Sequence, residues 1–538
     1  EEKNIYTTKE ASKHLGISPA TLYRMEKKGL ITSMRTPGGQ RRFSKDSIEQ
    51  YLDESKYFEA PQNPSKYKTN TTQVPSFVKE QTAVKEQTAE YSLFSPYEVE
   101  PSANISRLQQ QISIRKIRSH KEHYDSGLDI FKWVDEWDFK SYQTKTYSHG
   151  FHTYPAMFIP QVARKLIQVF SSEGETVCDI FCGSGTTLVE SSLLNRNYIG
   201  IELNPLAVLI AKVKTTPIDP QTLTNSLKLI LDFYKKMKKF SPPRFTNIDF
   251  WFSEATINDL TKLKQAICNI SEENIRNFFS VCFSEVVRIV SFTRHREFKL
   301  FRDKNKLQKS FRPNVINEFI KMCENNILGM KEYIIDVVPN TNVKIILGDS
   351  TKDNGIPANS IDFIITSPPY GDSRTTVAYG QFSRLPAQWL DLLPAHIKDI
   401  DKELLGGKNN ISLNDPILDL SETLRMSIKV ISEKDKERAK DVLSFYIDLY
   451  KALIQAHKIL RPKRYFCLIV GNRTVKELVL KTDEIICELA EKIGFVSQGI
   501  LYRNIPNKRM PLKNSPTNEA GKTGFTMQKE SIVLLKKN

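Results

Sequence analysis

Between residues 177 and 202 the chain reads as an apolar strand, a glycine turn, a helix start and a second apolar strand ending in an acid. Val177-Cys178-Asp179-Ile180-Phe181-Cys182-Gly183-Ser184-Gly185-Thr186-Thr187-Leu188 gives the first three, and Tyr198-Ile199-Gly200-Ile201-Glu202 the last. Strands that alternate with helices in this way pair in parallel, so this stretch commits the chain to an α/β sheet. Gly183 and Gly185 let the backbone approach a ligand closely. Glu202 follows about 20 residues later, the spacing at which a carboxylate meets ribose hydroxyls. The third glycine of a dinucleotide fingerprint is missing, with Thr186-Thr187 in its place, and no Lys follows as in a phosphate-clamping loop. A nucleoside without a pyrophosphate fits these residues. A structural glycine turn in another α/β fold would read the same way if the motif stood alone.

A second stretch constrains the chemistry. Phe363-Ile364-Ile365-Thr366-Ser367-Pro368-Pro369-Tyr370-Gly371 runs from an apolar strand into a rigid turn that ends in an aromatic ring. Two prolines fix φ and remove two backbone donors, which leaves carbonyls and Ser367 Oγ as acceptors. Such a turn can accept hydrogen bonds from an amino group while Tyr370 stacks on a flat ring, as an exocyclic amine on a nucleobase requires. Ser241-Pro242-Pro243 is followed by Arg244 in a polar stretch, so Ser-Pro-Pro alone is a weak signal.

The 538 residues suggest roughly two to four domains, and a net charge of +16 points to a polyanionic partner, most simply nucleic acid. A Lys-rich proteome would give the same balance. Seven cysteines, at 178, 182, 268, 282, 323, 467 and 487, form no Cys-x-x-Cys pair. That usage fits a reduced cytoplasmic protein without structural zinc, and the histidines show no paired metal spacing. There is no apolar run long enough to span a bilayer, so no membrane partner is expected.

Residues 1–56 read as a unit. Ala11–Ser18 reads as a helix ended by Gly16, and Ser18 and Pro19 open a second helix, Ala20–Lys28, ended by Gly29. A basic hairpin, Arg35-Thr36-Pro37-Gly38-Gly39-Gln40-Arg41-Arg42-Phe43, and a helix over about 45–52 complete it. Residues 57–105 are a polar linker with a six-residue duplication, Val78–Ala83 and Val84–Ala89. Residues 106–538 form one further domain, in which Arg115-Lys116-Ile117-Arg118 is either a phosphate contact or a solvated helix face. Within it, 220–335 reads as a helical insertion, with Phe279, Cys282, Phe283, Val286, Val287 and Val290 on one buried helix.

Residues 1–56 resemble the winged helix-turn-helix DNA-binding domain of the MerR and excisionase type. The resemblance implies that the second helix, with Thr21 and Arg24, enters the major groove, and that Arg35, Arg41 and Arg42 of the wing meet phosphates or the minor groove. The loop Asp179-x-Phe181-x-Gly183-Ser184-Gly185-Thr186 resembles the S-adenosyl-L-methionine loop of the amino-methylating DNA methyltransferases. Ser148–Pro160, with Tyr154-Pro155, is similar to the family segment that holds the methionine end. Ile346-Leu347-Gly348-Asp349-Ser350 resembles the turn that contacts adenine, and Thr366–Tyr370 the catalytic loop. Tyr465–Gly471 and Glu530–Leu535 are similar to later strands of the same sheet. The resemblance implies a Rossmann-like methyltransferase sheet and a cofactor, S-adenosyl-L-methionine, held by these residues together with Glu202 and Asn204. It also implies catalysis at Ser367, Pro368, Pro369 and Tyr370 on double-stranded DNA, with a cognate restriction endonuclease as a partner.

The exocyclic amine is a poor nucleophile because its lone pair is delocalised into the ring. Acceptors at its hydrogens, here Ser367 and the Pro368 carbonyl, draw the nitrogen toward a pyramidal state. The sulfonium methyl is already activated, so positioning and electrostatics can supply most of the rate. The base must leave the duplex, and Tyr370 would stack on it. Carbon-5 methylation would need a Pro-Cys thiolate, and no Pro-Cys occurs. In the family, Ser at the first catalytic position goes mostly with cytosine N4 and Asp or Asn with adenine N6, so cytosine N4 is favoured over adenine N6. RNA base-amine methylation is the second reading, opposed by the winged helix, since A-form RNA has too narrow a major groove. A promoter-binding regulator with a methyltransferase body is the third. Target recognition has three candidate stretches: Ser291–Arg302, 371–440 and Arg503–Pro511. The second, joined by the 503–528 loop, is favoured.

Overall fold

The computed structural model describes residues 5–15, 22–23, 25–26, 31–36, 40–54, 137–140, 142–294, 297–308, 310–339, 341–372, 376–392, 400–407, 411–505, 513–514, 524–525 and 529–538. Thr21, Arg24, the wing tip 37–39, the linker 57–105 and Arg115–Arg118 lie outside the described residues, as does most of 503–528. The chain divides into two units, Glu1–Glu100 and Pro101–Asn538.

In the first unit, β1 (Ile5–Thr7) leads into α1 (Thr8–Leu15), and β2 (Ser33–Arg35) and β3 (Arg41–Ser44) form the wing before α2 (Lys45–Glu54). Thr7 and Glu10 cap α1 reciprocally: the Thr7 N–H donates to Glu10 Oε2 at 2.8 Å and the Glu10 N–H to Thr7 Oγ1 at 3.2 Å. The sheet order is β1-β3-β2, antiparallel throughout, with Arg35 opposite Arg41. Ala11, Leu22, Met25, Ile31, Phe43 and Ile48 make its small core.

The second unit starts its α/β body with α3 (Pro160–Phe170), β4 (Thr176–Asp179), α4 (Thr186–Leu193), β5 (Asn197–Glu202) and α5 (Pro205–Thr215). After α5, helices α6 (Pro220–Lys236), α7 (Ile248–Trp251), α8 (Glu254–Cys268), α9 (Glu273–Val290) and α10 (Val315–Asp336) follow before β6 (Val343–Leu347). Then come β7 (Ile361–Thr366), α11 (Tyr379–Trp389), α12 (Glu422–Lys434), α13 (Lys436–Ile459) and β8 (Leu460–Val470). The short hairpin β9 (Thr474–Val475) and β10 (Leu478–Val479) precedes α14 (Thr482–Glu491) and β11 (Phe495–Asn504). The hairpin β12 (Lys513–Asn514) and β13 (Gly524–Phe525) precedes β14 (Lys529–Lys537).

Seven strands form one sheet in the order β11-β14-β8-β7-β4-β5-β6. The pairs from β8 to β6 are parallel, as the alternation of strands and helices requires. The sheet departs from an all-parallel expectation at β14, which runs antiparallel to both β8 and β11. β14 inserts between β8 and β11, so that the edge of the sheet is antiparallel while its centre is parallel.

Both faces of the central strands are covered, so side chains of either direction are buried there, whereas the edge strand β6 stays largely exposed. Val177, Phe363, Ile365, Cys467 and Ile469 pack on α3, while Cys178, Ile364, Phe466 and Leu468 pack on α13 and α14. The polar break in β7, Asp362, is 3 % exposed and satisfied by the Thr176 N–H at 2.9 Å and by Arg461. The six helices between β5 and β6, α5 to α10, share a separate core with α11. Phe279, Cys282, Phe283, Val286, Val287 and Val290 all lie buried on α9.

The order of strands positions the site. From β4 the chain moves outward through β5 to β6, then returns to the other side of β4 as β7. A sheet that reverses direction in this way opens a crevice beyond the carboxyl ends of the two strands at the switch point. Those strands are β4 and β7, which carry the glycine turn and the Ser-Pro-Pro-Tyr turn.

Candidate active site

The two turns are hydrogen-bonded to one another. Asp179, the last residue of β4, is 1 % exposed. Its Oδ1 accepts from Thr366 Oγ1 at 2.6 Å and from the Phe181 N–H at 3.1 Å, and its Oδ2 from Thr187 Oγ1 at 2.6 Å. The Phe181 N–H also reaches Thr366 Oγ1 at 3.1 Å. Thr366 is the residue before Ser367, so the carboxylate of Asp179 fixes the glycine turn to the catalytic strand. Burial pushes the Asp179 carboxyl up to about 6, against the hydrogen bonds from Thr187 and Thr366 that favour its charge.

Gly183 and Gly185 sit at φ of 50° and 85°, left-handed values that cost other residues about 1–2 kcal/mol. Gly185 also lacks room: a Cβ there would lie 3.0 Å from the Cβ of Ala211 on α5. Glu202 ends β5 beside this turn, with Oε2 accepting from the Gly183 N–H at 2.9 Å and Oε1 from the Asn204 N–H at 2.8 Å. Burial raises its carboxyl to about 7 despite those bonds. Asp349 accepts from the Thr351 N–H at 2.9 Å and Oγ1 at 2.7 Å and pairs with Lys352 at 3.0 Å. Burial works to raise the Asp349 carboxyl, but these partners outweigh it and hold it below the usual range.

A cleft of about 810 Å³, counted to its open mouth, lies over these turns. Tyr154, Pro155, Phe181, Gly183, Ser184, Thr186, Glu202, Asp349, Ser367 and Pro369 line it. Its groups fit S-adenosylmethionine: carboxylates at Glu202 and Asp349, an apolar wall at Phe181, bare backbone at Gly183, and the Tyr154–Phe158 segment. Asp179, Gly185 and Asn204 support the lining from behind. Asn204 is fully buried and donates to Tyr154 Oη at 3.1 Å and to Ser383 Oγ at 2.7 Å.

Pro368 and Tyr370 are not among the residues that line the cleft. The Tyr370 hydroxyl donates to Glu530 Oε1 on β14 at 3.1 Å, and Ser367 Oγ approaches Tyr370 Oη at 3.4 Å. Glu530 pairs in turn with Arg503 of β11, whose Nε donates to the Trp137 carbonyl at 2.9 Å. Burial and the Glu530 charge push the Tyr370 phenol well above its ordinary value, so it stays neutral. Immediately after the turn, Asp372 is fully buried and accepts from Arg438 Nη1 and Arg473 Nη2, each at 3.0 Å. That ion triad locks the exit of the turn.

Sequence reasoning missed Tyr379, Glu403, Leu404 and Leu405, which also line the cleft. Tyr379 stacks on Tyr154 with centroids 5.9 Å apart. These residues come from 371–440 and belong to no motif. Further along that stretch, Leu424, Ile428 and Ile431 lie in the sheet's core. In the first unit Arg35 is exposed, whereas Arg41 turns back onto its own module, 3.3 Å from Glu26 and 4.6 Å over the ring of Tyr23. Arg42 donates to the Arg41 carbonyl at 3.0 Å and to Gln40 Oε1 at 3.1 Å.

Cys182 is the one thiol lining the cleft, and burial followed by the Glu202 charge raises it well above its ordinary value. Among the described residues no group of three His, Cys, Asp or Glu is placed to hold a metal ion. None of their helices is long and apolar enough to cross a membrane.

Comparison with known proteins places the chain in a family. A DNA methylase family model, that of the N6/N4 type, matches residues 40–213, which include the glycine turn, Glu202 and Asn204. A helix-turn-helix domain model matches residues 5–56. The Type II methyltransferase M.MvaI of Kocuria varians is 40% identical over 421 residues, covering 74% of this chain and 93% of that protein. The Type II methyltransferase M.MjaII of Methanocaldococcus jannaschii is 38% identical over 138 residues, 26% of this chain and 25% of that protein. Among solved structures, a TehB-like SAM-dependent methyltransferase from Corynebacterium glutamicum matches 70% of this chain and 87% of its own at 9% identity and a TM-score of 0.23. The chain therefore belongs to the N6/N4 DNA methylase family: it is a DNA methyltransferase that uses S-adenosylmethionine and carries an N-terminal helix-turn-helix domain.

Proposed function

We propose that the protein methylates N4 of a cytosine flipped out of double-stranded DNA, at a specific site, as the modification arm of a restriction-modification system. The observation that carries the reading is the bond from Thr366 to Asp179, which sets Ser367 at the edge of the cofactor cleft. The cofactor supplies an electrophilic methyl group on its sulfonium. Ser367 Oγ and the Pro368 carbonyl accept the two amino hydrogens of the base and draw the lone pair of the nitrogen out of the ring. Glu530 holds the Tyr370 ring by its hydroxyl, so that ring offers a pre-set stacking face to the base. The path from Ser367 Oγ through Tyr370 Oη to Glu530 offers a route for the proton that the amine loses on methylation. Glu202 and Asp349 receive the ribose and adenine ends of the cofactor, and the Tyr154–Tyr379 stack screens the other end from water.

Ser367 supports cytosine over adenine because this residue type accompanies cytosine N4 transfer in the family. The Type II names of the relatives support the restriction-modification setting. For DNA contact, the wing offers Arg35 and Arg42, joined by Thr21, Arg24 and, after release from Glu26, Arg41. The commitment of much of 371–440 to the cleft and core favours the Ser291–Arg302 stretch of the insertion as a target-facing element instead. Its Leu300 N–H donates to Gln381 Oε1 of α11 at 3.2 Å, one residue from the Phe382 that packs on Tyr154.

The test is Ser367→Ala, alone and with Tyr370→Ala. Methyl transfer to DNA falls by about 10²-fold or more, as for loss of a transition-state hydrogen bond, while cofactor affinity stays within about twofold of wild type. Retained transfer in the double variant refutes the assignment of the turn.

A further inference from the structure

Lys214 is an unusual lysine. It sits in the last turn of α5, where a basic side chain ordinarily reaches into solvent, yet it is 0% exposed. Burial alone pulls its ammonium down to about 7. No carboxylate lies within ion-pair distance of it among the described residues. The acids around it are already engaged: Glu190 shares a hydrogen bond with His149 at 2.8 Å and pairs with Arg164 at 2.5 Å, and Glu285 faces His152 at 3.3 Å. A buried cation without an anion costs several kcal/mol, and such groups persist where a partner arrives.

Where the amine points is informative. Lys214 Nζ donates to Ser184 Oγ at 3.3 Å and touches Met157 Sδ at 4.0 Å. The Ser184 hydroxyl itself donates to the same sulfur at 2.9 Å. Two strong donors thus converge on a thioether, one of the weakest acceptors a protein has. Both Ser184 and Met157 line the cleft, and Met157 is 41% exposed on a flexible, unbranched side chain. The sulfur occupies the place of a better acceptor and can swing out of it. Met157 belongs to the Tyr154–Phe158 segment of the cleft lining.

We infer that Lys214 and Ser184 form a carboxylate subsite, and that the α-carboxylate of the cofactor displaces Met157 Sδ to pair with the Lys214 ammonium. The inference rests on the cofactor lying in this cleft as proposed above. Binding then brings the missing anion to a cation that the fold holds at a cost in its absence.

The test compares ligands that differ at the carboxylate, with binding to the full-length protein measured by calorimetry. The probes are S-adenosylhomocysteine, S-adenosylmethionine, decarboxylated S-adenosylmethionine and 5′-methylthioadenosine. Wild type prefers S-adenosylmethionine to its decarboxylated form by at least tenfold. Lys214→Met weakens both carboxylate-bearing ligands by about 30-fold and leaves the other two within about twofold, so the preference disappears. Lys214→Arg retains part of it. The Met variant melts no lower than wild type, because an unpaired buried charge has been removed. Equal affinity of wild type for S-adenosylmethionine and its decarboxylated form overturns the inference without any variant. So does a Lys214→Met protein that loses all four ligands alike, which marks a structural role. Failure of the wild type to bind S-adenosylhomocysteine at all would refute the cleft assignment itself, a separate result.

Discussion

Replacing Glu202 by Gln separates the stability of the fold from its function. The Glu202 carboxyl titrates at its ordinary 4.5 in the unfolded chain and at about 7 in the folded one, chiefly because it is buried beside the cofactor loop. Between those values the folded state holds a proton that the unfolded state has released. Stability therefore falls as pH rises from about 4.5 to about 7, and the loss is complete and constant above that. The rise corresponds to about 3 kcal/mol. Gln does not titrate, so the variant lacks this slope. One of its two ends must face an N–H of Gly183 or Asn204 as a donor, which adds a penalty that does not depend on pH. The wild-type-minus-variant difference in unfolding free energy should thus shift by about 3 kcal/mol toward the variant between pH 4.5 and pH 8. Asp179 titrates in both proteins, and its repulsion of Glu202 is a minor cause of the shift beside burial. All four tryptophans, Trp133, Trp137, Trp251 and Trp389, lie in the second unit, so urea unfolding followed by their fluorescence reports on it. In the same variant, affinity for S-adenosylmethionine falls by about tenfold or more, since a charged acceptor has been removed. A difference that is flat across this range, or that moves toward wild type as pH rises, refutes the reasoning.

Two other expectations are simpler. Asp372→Asn leaves Arg438 and Arg473 buried around a neutral amide and should cost about 3–5 kcal/mol of stability, with methyl transfer falling further than cofactor affinity; a shift below about 1 kcal/mol in urea unfolding, or equal loss of both functions, contradicts the role of this triad in holding the turn. Deleting residues 1–56 should lower the salt dependence of DNA binding by about 0.9 in log–log slope for each phosphate that the module neutralises and leave cofactor affinity unchanged; loss of cofactor binding would show that this segment supports the methyltransferase body.

What the chain reveals directly is what short-range chemistry dictates. Glycines at left-handed φ and prolines that remove donors define the two turns whatever surrounds them. The buried face of α9 follows from its spacing of threes and fours. Glu202 is legible because the length of a helix crossover fixes its distance from the turn. The unread features depend on parts far apart in sequence. The antiparallel insertion of β14 between β8 and β11 pairs it with β8, a strand far from it in the chain. Tyr379 and Leu404 reach the cleft only because α11 docks on the helical insertion. Lys214 looks like an ordinary basic residue at the end of a helix until the fold closes over it. Arg41 reads as a phosphate contact, but Glu26 and Tyr23 come within its reach only once the wing folds back on the preceding helix.

The central claim is that a methyl donor over Gly183–Gly185 faces an amino group held at Ser367–Tyr370. The direct measurement is incubation of the protein with methyl-labelled S-adenosylmethionine and duplex DNA, or structured RNA in parallel, followed by digestion and nucleoside analysis. Label in N4-methylcytosine from the DNA is the predicted result. Label in N6-methyladenine would contradict the choice of base, and label in 5-methylcytosine, in RNA alone, or in no nucleoside would contradict the account of the site.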